Sequence, residues 1–236
     1  MPTLATEPQA RRTLATRPHC VDCPTARTRC FEVAVGAGSS SCRFVKSTLS
    51  ARAPIPSAWS TEYALVLVRR GVLVRTRSPK DGPSIAIDCV GPGSSLPLSP
   101  TPDDVGYAAT EARVCLYPRA GLDRALAGEQ GTARDVIGVL GRALDRVERF
   151  AAARGHGAVD ARIARVLAVI ADTLSPPRRS ERLPPGLQQR DLARLAGVRH
   201  ESFCRAIGKL ERAGMVRREA EGLSILAHDA LATFAG

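Results

Sequence analysis

No stretch of this chain approaches the ~18 consecutive apolar residues that a transmembrane helix needs, so none is expected. The first 20 residues hold Arg11, Arg12 and Arg17 but no hydrophobic core segment, which argues against a signal peptide. A cytoplasmic protein with no membrane partner is the expectation. Catalytic patterns are missing as well: no Ser-His-acid set, no Gly-rich phosphate loop and no paired carboxylates stand out. No histidine falls between Tyr63 and Tyr117, so a metal-dependent cupin enzyme has no support. The chain reads as a non-enzyme.

At 236 residues the chain can form one large or two ordinary domains with real cores. Lys and Arg number 34 against 23 acids, a formal charge of +11. The excess sits at the two ends, with 8 bases to 3 acids in 1–59 and 11 to 7 in 178–236, against 15 to 13 between them. The C-terminal share suits contact with phosphates, although a basic, Arg-rich proteome would give the same total.

The chain is organised around residues 188–226. A short helical run over 190–196 turns Leu192, Ala193 and Leu195 inward and stops at Gly197, a residue suited to a left-handed turn. A second run starts near His200 and continues to about Ala213, with Phe203, Ala206, Ile207 and Leu210 at three- and four-residue steps. Residues 215–218 and 223–226 alternate as short strands around a turn, which predicts a β-hairpin wing. A helix-turn-helix places its second helix in the DNA major groove. Glu201 and Arg205 lie one turn apart on the outward face, where Arg can bond guanine O6 and N7 and Glu can accept from cytosine N4. The plainer reading of that pair is a surface i,i+4 salt bridge. The helix–turn–helix–hairpin context favours double-stranded DNA.

Seven cysteines in a reducing compartment read as ligands, sensors or buried apolar residues rather than disulfides. After a polar tail rich in Thr, Ala, Arg and Pro comes HCVDCPTARTRCFEV, with Cys20, Cys23 and Cys30 spaced C-x2-C-x6-C. Three thiols in so short a segment can converge on one metal or cluster. The fourth ligand is open among Cys42, Cys89, Cys115, Cys204 and His19. The metal is open too: zinc favours two CxxC pairs, and one exists here.

Between these ends the chain alternates β-rich runs with Gly, Pro and Ser. The clearest strands are 63–68, 72–77, 84–90 and 113–117, which suggests a jelly roll or small sandwich. Residues 132–154 then carry Val136, Leu140, Ala143, Val147 and Phe150 at steps of four and three, widened by Ile137, Leu144 and Ala151. This heptad seam predicts a helix that pairs with a copy of itself, flanked by Arg146, Glu148 and Arg149, whose like charges would weaken it. A second helix over 158–174 ends before Pro176-Pro177, and a Pro- and Arg-rich hinge follows.

The order of these parts resembles the Crp/Fnr family of bacterial transcriptional regulators. GVLVRTRSPKDGPSIAIDCVGPGSSL resembles the family's barrel, and RDLARLAGVRHESFCRAIGKLERAGMV its DNA-binding signature. The resemblance implies an α+β chain: an N-terminal arm with the cysteine cluster (1–30), a β jelly-roll sensor of cyclic-nucleotide-binding type (31–130), a dimerisation helix with the helix after it (131–175), and a winged helix-turn-helix (176–236). It also implies a homodimer on a two-fold-symmetric operator, with RNA polymerase as a further partner. Glu201 and Arg205 match the family's base-reading pair. Arg199, His200, Ser202, Cys204 and Lys209 complete the candidate DNA contacts, with Arg199 and His200 standing where the family usually has Ser or Thr. The stretch GPGSSLPLSPTPDDVGYAAT lacks the Glu and Arg that hold a cyclic nucleotide in relatives, so no cyclic nucleotide is expected.

The cysteine triplet resembles the oxygen-sensing Fnr subgroup, in which one further cysteine completes a [4Fe-4S] site. ARVCLYPRAGLDRAL puts Cys115 at the matching place, so the implied ligands are Cys20, Cys23, Cys30 and Cys115, and Cys42, Cys89 and Cys204 are left as small apolar residues. The implied mechanism is an arm tethered beside the dimer helix and released when oxygen or nitric oxide degrades the cluster. The alternatives are a zinc site or thiol redox switch on the same regulator, and an iron–sulfur electron carrier.

Overall fold

The protein is described by a computed structural model that covers residues 44–78, 84–99, 104–128, 130–174, 182–220 and 222–234. Two antiparallel sheets make the barrel. One has the order β1 (Val45–Leu49), β7 (Ala112–Pro118), β2 (Tyr63–Arg70), β5 (Ser95–Pro97); the other has β4 (Ile85–Val90), β3 (Leu73–Arg77), β6 (Asp104–Ala108). A short helix α1 (Trp59–Glu62) leads into β2, and α2 (Arg119–Gly128) leaves β7. The long helix α3 (Gln130–Gly155) and α4 (Val159–Leu174) follow, then α5 (Gln189–Ala196), α6 (His200–Arg212), the hairpin β8 (Val216–Glu219) and β9 (Gly222–Ile225), and α7 (His228–Thr233). The predicted α+β architecture of jelly roll, long helix and winged helix-turn-helix is the one observed.

The β2–β3 turn needs Gly71. Its φ is 83°, and an added Cβ would stand 2.0 Å from the Glu111 carbonyl oxygen, so a side chain there would push this turn away from the β6–β7 connection. The barrel interior is filled by Trp59, Val66, Val68, Leu73, Leu96 and Leu116. Alternation along β7 puts Val114 and Leu116 inside, so Cys115 and Tyr117 face out. Both are nonetheless buried, Tyr117 in a cluster with Leu65 and with Val139 of α3. The outward residues Val72, Val74, Ala86 and Ala109 of the other sheet region belong to a second core, shared with Phe150, with Ile163 and Leu167 of α4, and with Leu192 and Phe203 of the helix-turn-helix. Barrel and C-terminal unit therefore meet across a continuous apolar interface.

The seam expected on α3 divides in two. Ala143 and Phe150 are buried in the chain's own structure, in line with Val139, Arg146 and Ala153. Leu140 is exposed, and Val136 and Val147 are half-buried. The open apolar positions are Ile137, Leu140 and Leu144, exposed by 68%, 47% and 58%. At 100° per residue the two stripes lie about 120° apart around the helix. Ala143 and Phe150 thus belong to the fold rather than to a self-paired seam, because the barrel occupies that side first. Arg146 and Arg149 do not flank an interface as free charges. Arg146 is buried and donates to both oxygens of Asp88 at 3.0 and 2.8 Å and to the Ser95 carbonyl at 3.0 Å, and Arg149 pairs with Asp172 of α4.

Candidate nucleic-acid interface

Gly197, at φ 64°, ends α5 in the left-handed turn expected of it, and its N–H donates to the Ala193 carbonyl. Leu192, Ala193 and Leu195 of α5 and Phe203, Ala206, Ile207 and Leu210 of α6 are buried, as their spacing predicted. Arg199 is the N-cap of α6, extended and without a side-chain cap, so the N–H groups of the first turn keep no internal side-chain partner. The hairpin is fixed to α6 by Arg218, whose N–H donates to Glu211 Oε1 at 2.9 Å and whose guanidinium donates to the Cys204 carbonyl at 3.1 Å.

Arg199, His200, Glu201 and Arg205 are exposed on the outer side of α6, and Ser202 and Cys204 are half-buried beside them. Among the described residues, neither Glu201 nor Arg205 makes a side-chain hydrogen bond or ion pair, so the surface salt bridge between them is not formed. Lys209 is also exposed, and its ammonium pairs with Asp160 of α4 at 2.5 Å. Cys204 is no core residue: its sulfur lies 3.4 Å from Gln189 Oε1 and 3.6 Å from His200 Nε2. Cys89 fits the buried apolar role, fully enclosed, and burial pushes its thiol far above the usual range.

The structure adds three exposed arginines on the neighbouring elements: Arg190 at the start of α5, and Arg217 and Arg218 on β8, the last of them paired with Glu211. Their sequence signal was alternation in the wing and position in the first turn of α5, not any motif. Gln188 and Gln189 line shallow hollows with His200 on one side and with Glu219 and Ala220 on the other.

The iron–sulfur ligand set is represented by Cys115 alone, since Cys20, Cys23 and Cys30, with Cys42, lie outside the described residues. Cys115 stands opposite Lys46 of β1 and Leu67 of β2, on the face where the Phe44 ring lies 5.1 Å from Tyr117. Among the described residues no group of three or more His, Cys, Asp or Glu could hold a metal ion. No described helix is long and apolar enough to cross a membrane.

Residues 161–234 match the Crp-like helix-turn-helix domain family. No curated protein sequence matches the chain. Among solved structures, FixK2 from Bradyrhizobium japonicum superposes with a TM-score of 0.69 at 18% identity, covering 82% of this chain and 98% of its own. A CRP-family transcriptional regulator from Thermus thermophilus gives 0.58 at 24% identity, covering 80% and 97%. A CooA mutant from Carboxydothermus hydrogenoformans gives 0.62 at 13% identity, covering 82% and 88%. At these identities the likeness is one of fold.

Proposed function

We propose that the protein is a DNA-binding transcriptional regulator of the Crp/Fnr type, acting as a homodimer on a two-fold-symmetric site. The observation that carries this is the exposed, uncommitted Glu201–Arg205 pair on the second helix of a Crp-like helix-turn-helix. Arg190, Arg199 and Arg217 add exposed positive charge on the neighbouring elements, while Arg218 is paired with Glu211 and Asp191 is buried. Phosphates would meet the arginines, and the first turns of α6 would meet base edges. Pairing of α3 with a second copy through Ile137, Leu140 and Leu144 would set the two reading helices about one DNA turn apart, ~34 Å.

We propose further that the signal is read through the cysteines. Support comes from the side of the barrel on which Cys115 lies. The chain enters β1 over the same face, and the 14 residues from Cys30 to Phe44 span up to about 50 Å. That reach is ample for Cys20, Cys23 and Cys30 to join Cys115 beside Tyr117 and the first half of α3. Bound there, a [4Fe-4S] cluster would supply a centre that oxygen or nitric oxide degrades. Cys115 would hold the arm against the sheet that supports α3, and its release would loosen that support.

Two measurements test these readings separately. Arg205→Ala is expected to cost about 1–3 kcal/mol of specific DNA binding and to relax preference at the contacted base pair. Unchanged affinity and specificity would sink the regulator reading. Protein purified without oxygen is expected to contain equal iron and acid-labile sulfide, both lost in Cys115→Ala. Zinc in their place would make the site structural, and absence of any metal would leave a thiol switch.

A further inference from the structure

Arg52 is, among the described residues, the non-glycine residue with a left-handed backbone, at φ 72°. A Cβ is disfavoured there, so something must hold the residue in place. The backbone does part of it: the Arg52 N–H donates to the Ala108 carbonyl at 2.7 Å and the Ala53 N–H to Ser50 at 3.0 Å, which ties the turn after β1 to the end of β6. The side chain leaves the barrel. Its Nη1 lies 2.6 and 2.7 Å from the two oxygens of Asp191, and its Nη2 donates to the Gly186 carbonyl at 3.1 Å.

Asp191 is 139 residues away in sequence, in the first turn of α5, and is 1% exposed. Its carboxylate also accepts from the Tyr107 hydroxyl of β6 at 2.9 Å and from the Gln188 N–H at 3.0 Å. The last of these bonds fixes the start of α5 itself. One buried carboxylate thus joins two barrel donors to the end of a helix in the C-terminal unit. Arg194 lies over the Tyr107 ring at 5.8 Å, and burial together with Asp191 pushes the Tyr107 phenol up to about 12, so it stays a donor throughout the neutral range.

We infer that Arg52 is a positioning residue for the DNA-reading unit: from the barrel, it clamps the first turn of α5 and so sets the orientation of α6. This rests on the DNA-binding reading above. Because α5 and α6 share a core, an anchored α5 leaves α6 little freedom to rotate. The clamp also has a short link to the proposed sensing face. Arg52 follows three residues after the end of β1, the strand in which Lys46 stands opposite Cys115.

The test uses the full chain. Arg52→Gly removes the guanidinium and relieves the left-handed backbone, so it does not act by straining the barrel. Without DNA, amide exchange over 186–193 is expected to rise about tenfold or more, with β2 unchanged. Arg52→Lys is expected to fall between, because one ammonium cannot replace a fork. With a duplex that the wild-type protein selects from a randomised library, Arg52→Gly should lower affinity about tenfold, while binding to random-sequence duplex changes less than about twofold. Asp191→Asn should weaken the wild type more than the Arg52→Gly variant. Unchanged exchange over 186–193 would overturn the clamp. Parallel loss on both duplexes would overturn the positioning role. A wild-type protein that selects no sequence would overturn the DNA-binding reading itself, and the positioning role with it, whatever the exchange shows.

Discussion

Two stripes of apolar side chains run along α3, and they meet different fates. Val139, Ala143 and Phe150 are buried against the chain's own barrel and helices, with Arg146 in the same row. Ile137, Leu140 and Leu144 point to solvent. The composition of the two rows is similar, so hydrophobicity does not tell them apart. The inner row also carries a polar residue: Arg146, paired with Asp88 of β4. Burial pushes the Asp88 carboxyl up while Arg146 pulls it down, so the pair is tolerable only when both partners are present. The pair is therefore expected to act as an ionic key that helps select which side of the helix turns inward.

The comparison breaks most severely at Phe150, which is fully enclosed in the core that barrel, α4 and helix-turn-helix share. Phe150→Ala is expected to destabilise the fold by about 3–5 kcal/mol, read as a lowered denaturation midpoint with the slope unchanged. A smaller loss would mean that the shared core collapses around the gap. Next comes Arg146→Ala, which leaves the enclosed Asp88 carboxylate without its two-pronged partner and should cost about 3 kcal/mol. Asp88→Asn added to that variant should restore part of the loss, since the remaining group carries no charge. Equal effects in the single and double variants would remove the ionic key from the account.

The two rows also mark how far the sequence is readable. In α5 and α6, the residues that three- and four-residue spacing turned inward are all buried, because Gly197 fixes the turn between them; Asp191 and Ala196, also buried on α5, were not among them. The four clearest strands were legible for a similar reason, with Gly71 marking a turn that tolerates no side chain. β1, β5 and β6 were not, since each is short and carries Ser, Pro or Asp that read as loop. On α3 the periodicity was genuine, but a wide stripe does not state which neighbour it meets. Asp88, 58 residues away, supplies that information, and so does Asp191 for Arg52. Pairings of that kind leave no local trace. Lys209 shows the same limit: its exposed place on α6 was legible, while its ion pair with Asp160 of another helix was not.

The outer row gives the smallest effect on folding and the sharpest separation. Ile137→Glu with Leu144→Glu places two carboxylates among residues that already face water, so the stability of the single chain should move by no more than about 0.5 kcal/mol. The same pair of charges facing its symmetry mate would repel it across a short, low-dielectric seam. Sedimentation should then show a monomer for the variant and a dimer for the parent protein. Binding to a symmetric duplex should fall by about 10²–10⁴, because the second half-site loses the benefit of being tethered to the first. Binding to a single half-site should be unchanged, since α6 and its arginines are untouched. If the variant unfolds instead, the outer row is part of the chain's own core, and the division of α3 into an inner and an outer face is wrong.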